Sequence, residues 1–512
     1  MATAASDFIE MSDRRRLLAG IVLAFSNFMV VLDLTIANVS IPAIAGNLGI
    51  SLDQGTWIIT SYAVAEGVVV PLTGWLAQRY GAVRVFLLAI LGFGLFSLLC
   101  GLSHSLGMIV ACRIGQGLCG GPIMPMSQTL TVRVFRPEKR AMAMGLWAMT
   151  VTLAPALGPI LGGYITDGWS WHWIFLINVP LALICAAAGY ALLRKVETPR
   201  LRVPIDRVGL GLLVFWIGCL QIMLDTGHDR DWFGDALIVV LAVLAVLGFV
   251  VFIIWELTDE HPVVDLRVFR FDGFGAALVA MCASFGAFFA GVVVVPQWLQ
   301  ATMGYTAFKA GVIGAVPAFS SVLMAPLAAR LVTKVDPRML ACGGIVWMGM
   351  AMALRSGWTS SADFGSFVWP MALQGLGMPF MIIPLTVLLQ NTVPPGHTAS
   401  AAGMQNFART MAVALSTSLI VTAWSERQAS ARTALADALH PDAAQAAMAG
   451  LGMSPQATTT MLSGLVDREA ITLAANHTYA ISAVVMAMAA LTVWRIPRPS
   501  PERLAGGLMG GH

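Results

Sequence analysis

From one end to the other the chain repeats apolar stretches of about 20 residues, the length a helix needs to cross lipid. A hydrocarbon core about 30 Å thick is spanned at about 1.5 Å per helical residue. Lipid offers no partner to backbone N–H and C=O groups, so each span must satisfy its own. The expectation is an all-α polytopic membrane protein with fourteen spans: 17–41, 56–77, 83–102, 106–131, 141–165, 173–193, 208–224, 236–255, 274–299, 310–332, 340–354, 367–389, 399–423 and 471–493. Composition agrees. Hydrophobic residues make up 58% of the chain and charged residues 11%, against about 25% charged in soluble domains. A soluble fold could not cover that much apolar surface.

The few charges test the count. With the N-terminus in the cytoplasm, 22 of the 30 Lys and Arg fall on the cytoplasmic side, 6 fall outside, and two, Arg113 and Arg409, lie within spans. Basic residues concentrate in cytoplasmic loops, and one miscounted span would invert every later loop and erase the bias. Both termini are therefore expected in the cytoplasm. The expected organisation is a tail 1–16, a six-helix bundle 17–193, a linker 194–207, two inserted helices 208–257, a linker 258–273, a second six-helix bundle 274–496 and a tail 497–512. The second bundle carries a polar, Ala-rich outer loop, 424–470, too long for a simple connector. It reads either as a solvated hairpin starting a helix at Ser454-Pro455 or as a docking surface for an external partner.

Several classes are excluded. Arg14, Arg15 and Arg16 precede an apolar run of about 25 residues, too long for the core of a signal peptide, so a retained first helix is expected. Cys100, Cys112, Cys119, Cys185, Cys219, Cys282 and Cys342 lie in apolar runs and read as packed side chains. None of the four lysines, Lys139, Lys195, Lys309 and Lys334, follows Gly, so no phosphate-binding loop is present. Zinc-ligand, HExxH and GxSxG patterns are also missing. A transporter is expected, not an enzyme, with no cofactor, no metal and no nucleic-acid partner.

The two bundles echo one another. Gln116-Gly117-Leu118 is followed by Pro122 and Pro125, and Gln374-Gly375-Leu376 by Pro379 and Pro384. Span 2 ends in Pro71-Leu72 before Arg79, and span 10 in Pro326-Leu327 before Arg330. Pro42 precedes Pro71 as Pro296 precedes Pro326. Two related six-helix halves around a central site suit alternating access.

The motifs carry a resemblance. Span 1 contains Leu32-Asp33-Leu34-Thr35-Ile36-Ala37-Asn38-Val39-Ser40-Ile41-Pro42, and the loop after span 2 is Gly74-Trp75-Leu76-Ala77-Gln78-Arg79-Tyr80-Gly81-Ala82-Val83-Arg84. Span 4 has Arg113-Ile114-Gly115-Gln116-Gly117, and span 5 has Ala154-Pro155-Ala156-Leu157-Gly158-Pro159-Ile160-Leu161-Gly162-Gly163. Span 6 opens with Trp171-His172-Trp173-Ile174-Phe175-Leu176-Ile177-Asn178-Val179-Pro180. In this order they resemble the major facilitator superfamily, in its fourteen-helix drug:proton antiporter branch, and within it EmrB-type subunits of tripartite multidrug pumps. The loop departs at Gln78, where the family usually has Asp, and the Gly-Pro motif at Ala154, where it usually has Gly. The resemblance implies a major facilitator fold in the bacterial inner membrane. It also implies export of small drug-like molecules against protons, with a periplasmic membrane-fusion adaptor and an outer-membrane channel as partners. The alternative is a proton-coupled importer or uniporter of one solute on the same fold.

An ionisable side chain inside a span is costly and marks function by default. Asp33 and Glu66 each lie nine residues, about 14 Å, from the outer ends of spans 1 and 2, and Arg113 seven residues, about 10 Å, into span 4. A carboxyl group withdrawn from water favours its protonated form, and a neighbouring guanidinium favours the ionised one. Asp33 is thus the expected main proton site, Glu66 a second proton or cation site, and Arg113 their modulator. The competing reading is a static ion pair fixing helix packing. Arg409 in span 13 either meets an anionic substrate or bonds carbonyls between the halves. Asn38 and Gln116 join it as possible substrate or interface residues. Gly74, Arg79, Gly81 and Arg84 form the candidate gating loop, with the arginines able to grip neighbouring helix ends. Pro155, Gly158, Pro159, Gly162 and Gly163 form either a kinked gate or a close-packed seam.

Overall fold

The computed structural model describes residues 11–135, 143, 150, 154, 157–200, 204, 206–227, 230, 232–260, 262–332, 334–394, 398–438 and 454–498. Its helices are α1 (Asp13–Leu48), α2 (Leu52–Val69), α3 (Thr73–Tyr80), α4 (Ala82–Gly101), α5 (Leu106–Gly120), α6 (Ile123–Val134), α7 (157–168), α8 (Trp173–Leu176) and α9 (Asn178–Leu193). They continue with α10 (Arg207–Thr226), α11 (Ala236–Thr258), α12 (Phe274–Met303), α13 (Ala307–Leu331), α14 (Pro337–Arg355), α15 (Phe364–Asn391), α16 (Thr398–Ala438) and α17 (Pro455–Val493). Among the described residues, 12 helices are long and apolar enough to cross a bilayer, and the pair α2–α3, bent by 55°, makes a thirteenth. The remaining expected span, 141–165, lies partly outside the described residues; its described part, 157–165, belongs to α7. The all-α polytopic reading therefore stands.

Proline sets the breaks. Pro71 falls between α2 and α3, and Pro122 between α5 and α6, where the missing N–H interrupts the ladder. Polar side chains close the free amides at helix starts: Ser51, Ser105, Thr306, Asp363 and Ser454 each accept from the backbone two or three residues on.

The internal repeat is physical. A methyl group built on Gly117 of α5 would lie 2.4 Å from the Tyr62 carbonyl oxygen of α2. Its counterpart on Gly375 of α15 would lie 2.0 Å from the Pro317 carbonyl oxygen of α13. Each half thus uses the glycine of its Gln-Gly-Leu triplet to bring two backbones together. In the N-terminal half α5 packs on α2 and α4, and α4 on α9; in the C-terminal half α15 packs on α13 and α14, and α14 on α17. The inserted helices α10 and α11 pack on each other, and α10 also touches α2 and α16, so the pair lies where the halves meet.

The described residues of the loop predicted between spans 13 and 14 are mostly helix. α16 has 41 residues and α17 has 39, so each runs about 60 Å, roughly twice the hydrocarbon thickness. Arg432 Nε and Asp467 Oδ1 join them at 2.7 Å beyond the predicted spans. Residues 439–453, at the tip of the predicted loop, lie outside the described residues.

Candidate functional site

Five helical segments of the N-terminal half converge on Asp33 of α1. Arg113 Nη1 of α5 donates to Asp33 Oδ2 at 2.5 Å, with both side chains fully withdrawn from solvent. The second carboxylate oxygen, Oδ1, accepts from Asn178 Nδ2 at 2.7 Å and from Gln116 Nε2 at 3.1 Å. Arg113 also donates from Nη1 to Gln116 Oε1 at 2.9 Å and from Nε to the Ile58 carbonyl at 2.9 Å. Ser97 of α4 accepts from Asn178 and Gln116 and donates to the Phe175 carbonyl. The guanidinium lies 4.2 Å above the Tyr62 ring and 5.6 Å from the Phe175 ring. A buried ion pair is tolerable only when its remaining valences are met. Here Asp33 is fully met, whereas Arg113 Nη2 and the Tyr62 hydroxyl have no partner among the described residues.

Sequence reasoning named Asp33, Arg113 and Gln116, and the structure brings them together. It missed Ser97, Asn178 and Tyr62. Asn178 sat inside the quoted span-6 motif as a polar residue in an apolar run, the one signal available; Ser97 and Tyr62 offered none.

Glu66 is not among Asp33's hydrogen-bond partners. It is half-buried on α2, and Arg409 of α16 acts on it more strongly than any other charge, ahead of Arg113 and Asp33. Both lean on the break between α5 and α6. A methyl on Gly121 would lie 3.4 Å from Glu66 Cγ, and Arg409 Nη2 reaches Met124 Sδ at 3.7 Å. Gly67, next to Glu66, packs against Thr410 and Met411, next to Arg409. Arg409, without an acidic neighbour in sequence, thus faces an acid of the opposite half in space. Asn38 is buried, with its amide oxygen unpartnered among the described residues.

The Gly-Pro segment is a seam between the halves. On one side of α7, a methyl on Gly158 would lie 2.0 Å from Thr35 Oγ1, and one on Gly162 would lie 2.8 Å from the Ile36 carbonyl oxygen. On the other, a methyl on Gly163 would lie 2.4 Å from Phe308 Cα of α13, and one on Gly311 would lie 2.0 Å from the Pro159 carbonyl oxygen. Asp167 accepts from the Phe308 N–H at 2.8 Å and the Ala307 N–H at 3.3 Å, capping α13 from the other half. Gln300 Nε2 adds a bond to the Val39 carbonyl at 3.2 Å. Pro155 lies outside the described residues.

In the loop motif Gly81 has φ +95, a conformation side chains avoid. Gly74, Arg79 and Arg84 are exposed. The start of α4 is held instead by an acid: Glu197 accepts from the Val83 N–H at 2.9 Å and the Arg84 N–H at 3.1 Å, and Thr198 from the Ala82 N–H at 2.9 Å. A carboxylate there complements the positive helix end. The C-terminal half answers with Asp336 at the start of α14, which pairs with Arg338 at 2.8 Å. A second guanidinium is buried in that half. Arg355, assigned to the outer side from sequence, is withdrawn from solvent and donates to Gln374, the repeat counterpart of Gln116.

Known proteins place this geometry. The Major Facilitator Superfamily profile matches residues 23–417. The chain is 39% identical over 498 residues to the Multidrug export protein EmrB of Escherichia coli (strain K12), covering 96% of this chain and 97% of that protein. It is 37% identical over 495 residues to the Fatty acid resistance protein FarB of Neisseria gonorrhoeae, covering 96% and 97%. A POT family transporter crystallised with 5-aminolevulinic acid shares the fold at a TM-score of 0.65, 13% identity, and 93% and 95% coverage. An inward-facing bacterial homolog of the human lysosomal transporter Spinster does so at 0.62, 14%, and 96% and 100%.

Proposed function

The chain belongs to the Major Facilitator Superfamily, and from that membership we propose that it is a proton-coupled antiporter exporting hydrophobic or amphipathic small molecules. The observation that carries the reading is the fully buried Asp33–Arg113 pair, inside a helix bundle that lipid surrounds. An ionisable pair inside a membrane span is costly, and such pairs mark proton and substrate pathways.

The coupling route follows contacts. A proton on Asp33 removes the charge that Arg113, Gln116 and Asn178 hold. Thr35 and Ile36, two and three residues along α1, bear on Gly158 and Gly162, while Pro159 and Gly163 bear on α13 of the other half. In this reading, neutralising Asp33 loosens the α1–α7 packing that backs the α7–α13 seam between the halves. Glu66 and Arg409 set opposite charges against each other across the halves, available to a second proton or to a charged substrate group. Export of drug-like and fatty-acid-like amphiphiles is consistent with relatives named for multidrug export and fatty acid resistance. We place both termini in the cytoplasm of a bacterial inner membrane, by the bias of basic residues. The hairpin of α16 and α17 then projects outward, toward a periplasmic adaptor and an outer-membrane channel.

Everted membrane vesicles energised with a pH gradient test the proposal. Uptake of a lipophilic fluorescent dye should require the gradient and collapse with an uncoupler. Asp33→Asn should abolish gradient-driven uptake while retaining dye exchange. Gradient-driven uptake by Asp33→Asn at the wild-type rate would reject the role of Asp33.

A further inference from the structure

The inserted helix pair carries two acids that the transport scheme does not use. Asp206 caps the start of α10, and Glu256 lies in the last turn of α11, wholly buried. Each spends one oxygen on N–H donors. Asp206 Oδ1 accepts from the Gly209 N–H at 2.7 Å and from Trp255 Nε1 at 3.0 Å. Glu256 Oε2 accepts from the Val264 N–H at 2.9 Å. Each turns its other oxygen toward the same point over Gly209, where a built methyl would lie 2.0 Å from Asp206 Oδ2 and 2.6 Å from Glu256 Oε1. Among the described residues those two oxygens have no hydrogen-bond partner.

Two carboxylate oxygens turned to one backbone position repel when both carry charge, so the pair favours holding one proton. One proton between them would satisfy both orphaned oxygens, whereas full ionisation would leave two acceptors facing each other. Helix ends decide where it sits. The positive end of α10 complements a carboxylate beside it, whereas the negative end of α11 opposes a charge on Glu256. The other charge acting on Glu256 among the described residues is Asp259, also acidic. Arg267, on the segment that supplies the Val264 N–H, directs Nη2 to the Asp259 carbonyl at 2.8 Å. We infer that Asp206 and Glu256 form a proton-binding site in which Glu256 Oε1–H donates to Asp206 Oδ2, clasping the two inserted helices to the segment that enters the C-terminal half.

The inference is independent of how transport is energised. Its test is hydrogen exchange of the full chain in lipid nanodiscs, reading the Val264 amide relative to the free-peptide rate at each pH. As pH rises and the shared proton leaves, Val264 protection should fall about tenfold in the wild type. Glu256→Gln, whose amide donates to Asp206 without a titrating proton, should hold protection constant over that range. Should Glu256→Gln fail to fold, Asp206→Asn supplies the same comparison, since Asn can donate to an ionised Glu256. An equal pH dependence in wild type and variants would overturn the inference. So would restoration of protection at alkaline pH by sodium or potassium, which would make the occupant a metal cation.

Discussion

Gly311 of α13 approaches Pro159 of α7 so closely that a methyl group on it would sit 2.0 Å from the Pro159 carbonyl oxygen. The two residues belong to opposite halves, and only a residue without a side chain permits that approach. Gly311→Leu should therefore wedge the halves apart at this end. The expected result is normal membrane insertion, efflux reduced at least about tenfold (about 1.4 kcal/mol or more on the closed state), and faster thiol labelling of a cysteine placed at Ala307.

The Asp33–Arg113 pair predicts an asymmetric response to substitution. Arg113→Met leaves a buried carboxylate short of its cation and should cost about 3–5 kcal/mol of stability. Asp33→Asn should cost less, because Gln116 and Asn178 can still bond the amide oxygen. The double variant should be more stable than the sum of the single effects implies. Unfolding in mixed micelles at neutral pH measures all three, and additive losses would mean the pair is not energetically coupled.

At Gly81 the backbone conformation and the crowding by Glu197 act together. A methyl there would lie 2.5 Å from Glu197 Oε1, and the left-handed backbone alone costs about 1–3 kcal/mol for a residue with a side chain. Gly81→Ala should lower the thermal midpoint clearly. Glu197→Gln should lower it less, since the lost charge at the start of α4 is worth about 0.3–1 kcal/mol.

Acid should weaken the start of α14. Its hydrogen bonds from Arg338, with the Arg338 and Arg498 charges nearby, hold the Asp336 carboxyl below the usual carboxylate range. A depressed acid stabilises the fold fully above its unfolded value of about 3.9 and loses that contribution as pH falls through its folded value. Stability should therefore decline below about pH 4, and Asp336→Asn should flatten that part of the profile. Equal acid sensitivity in the variant would place the effect elsewhere.

The bilayer made the architecture legible, because its thickness fixes span length and its cost for charge makes Asp33 and Arg113 conspicuous. The same logic could not find Ser97 or Asn178, neutral residues unremarkable in an apolar run. It also could not join Glu66 to Arg409, since each looks solitary until α2 and α16 are packed. Nor did it point to Glu197, which holds the start of α4 from a linker far along the chain. Contacts of that kind depend on where a linker returns, which local pattern does not encode.

The two longest helices, α16 and α17, each run well past the predicted spans, and Arg432 and Asp467 tie them together there. Such paired rods act as a lever: a small tilt of the C-terminal half is magnified at their far ends. Anything gripping that tip would feel the stroke of each cycle mechanically, and by clamping it could stall the pump without touching its cargo.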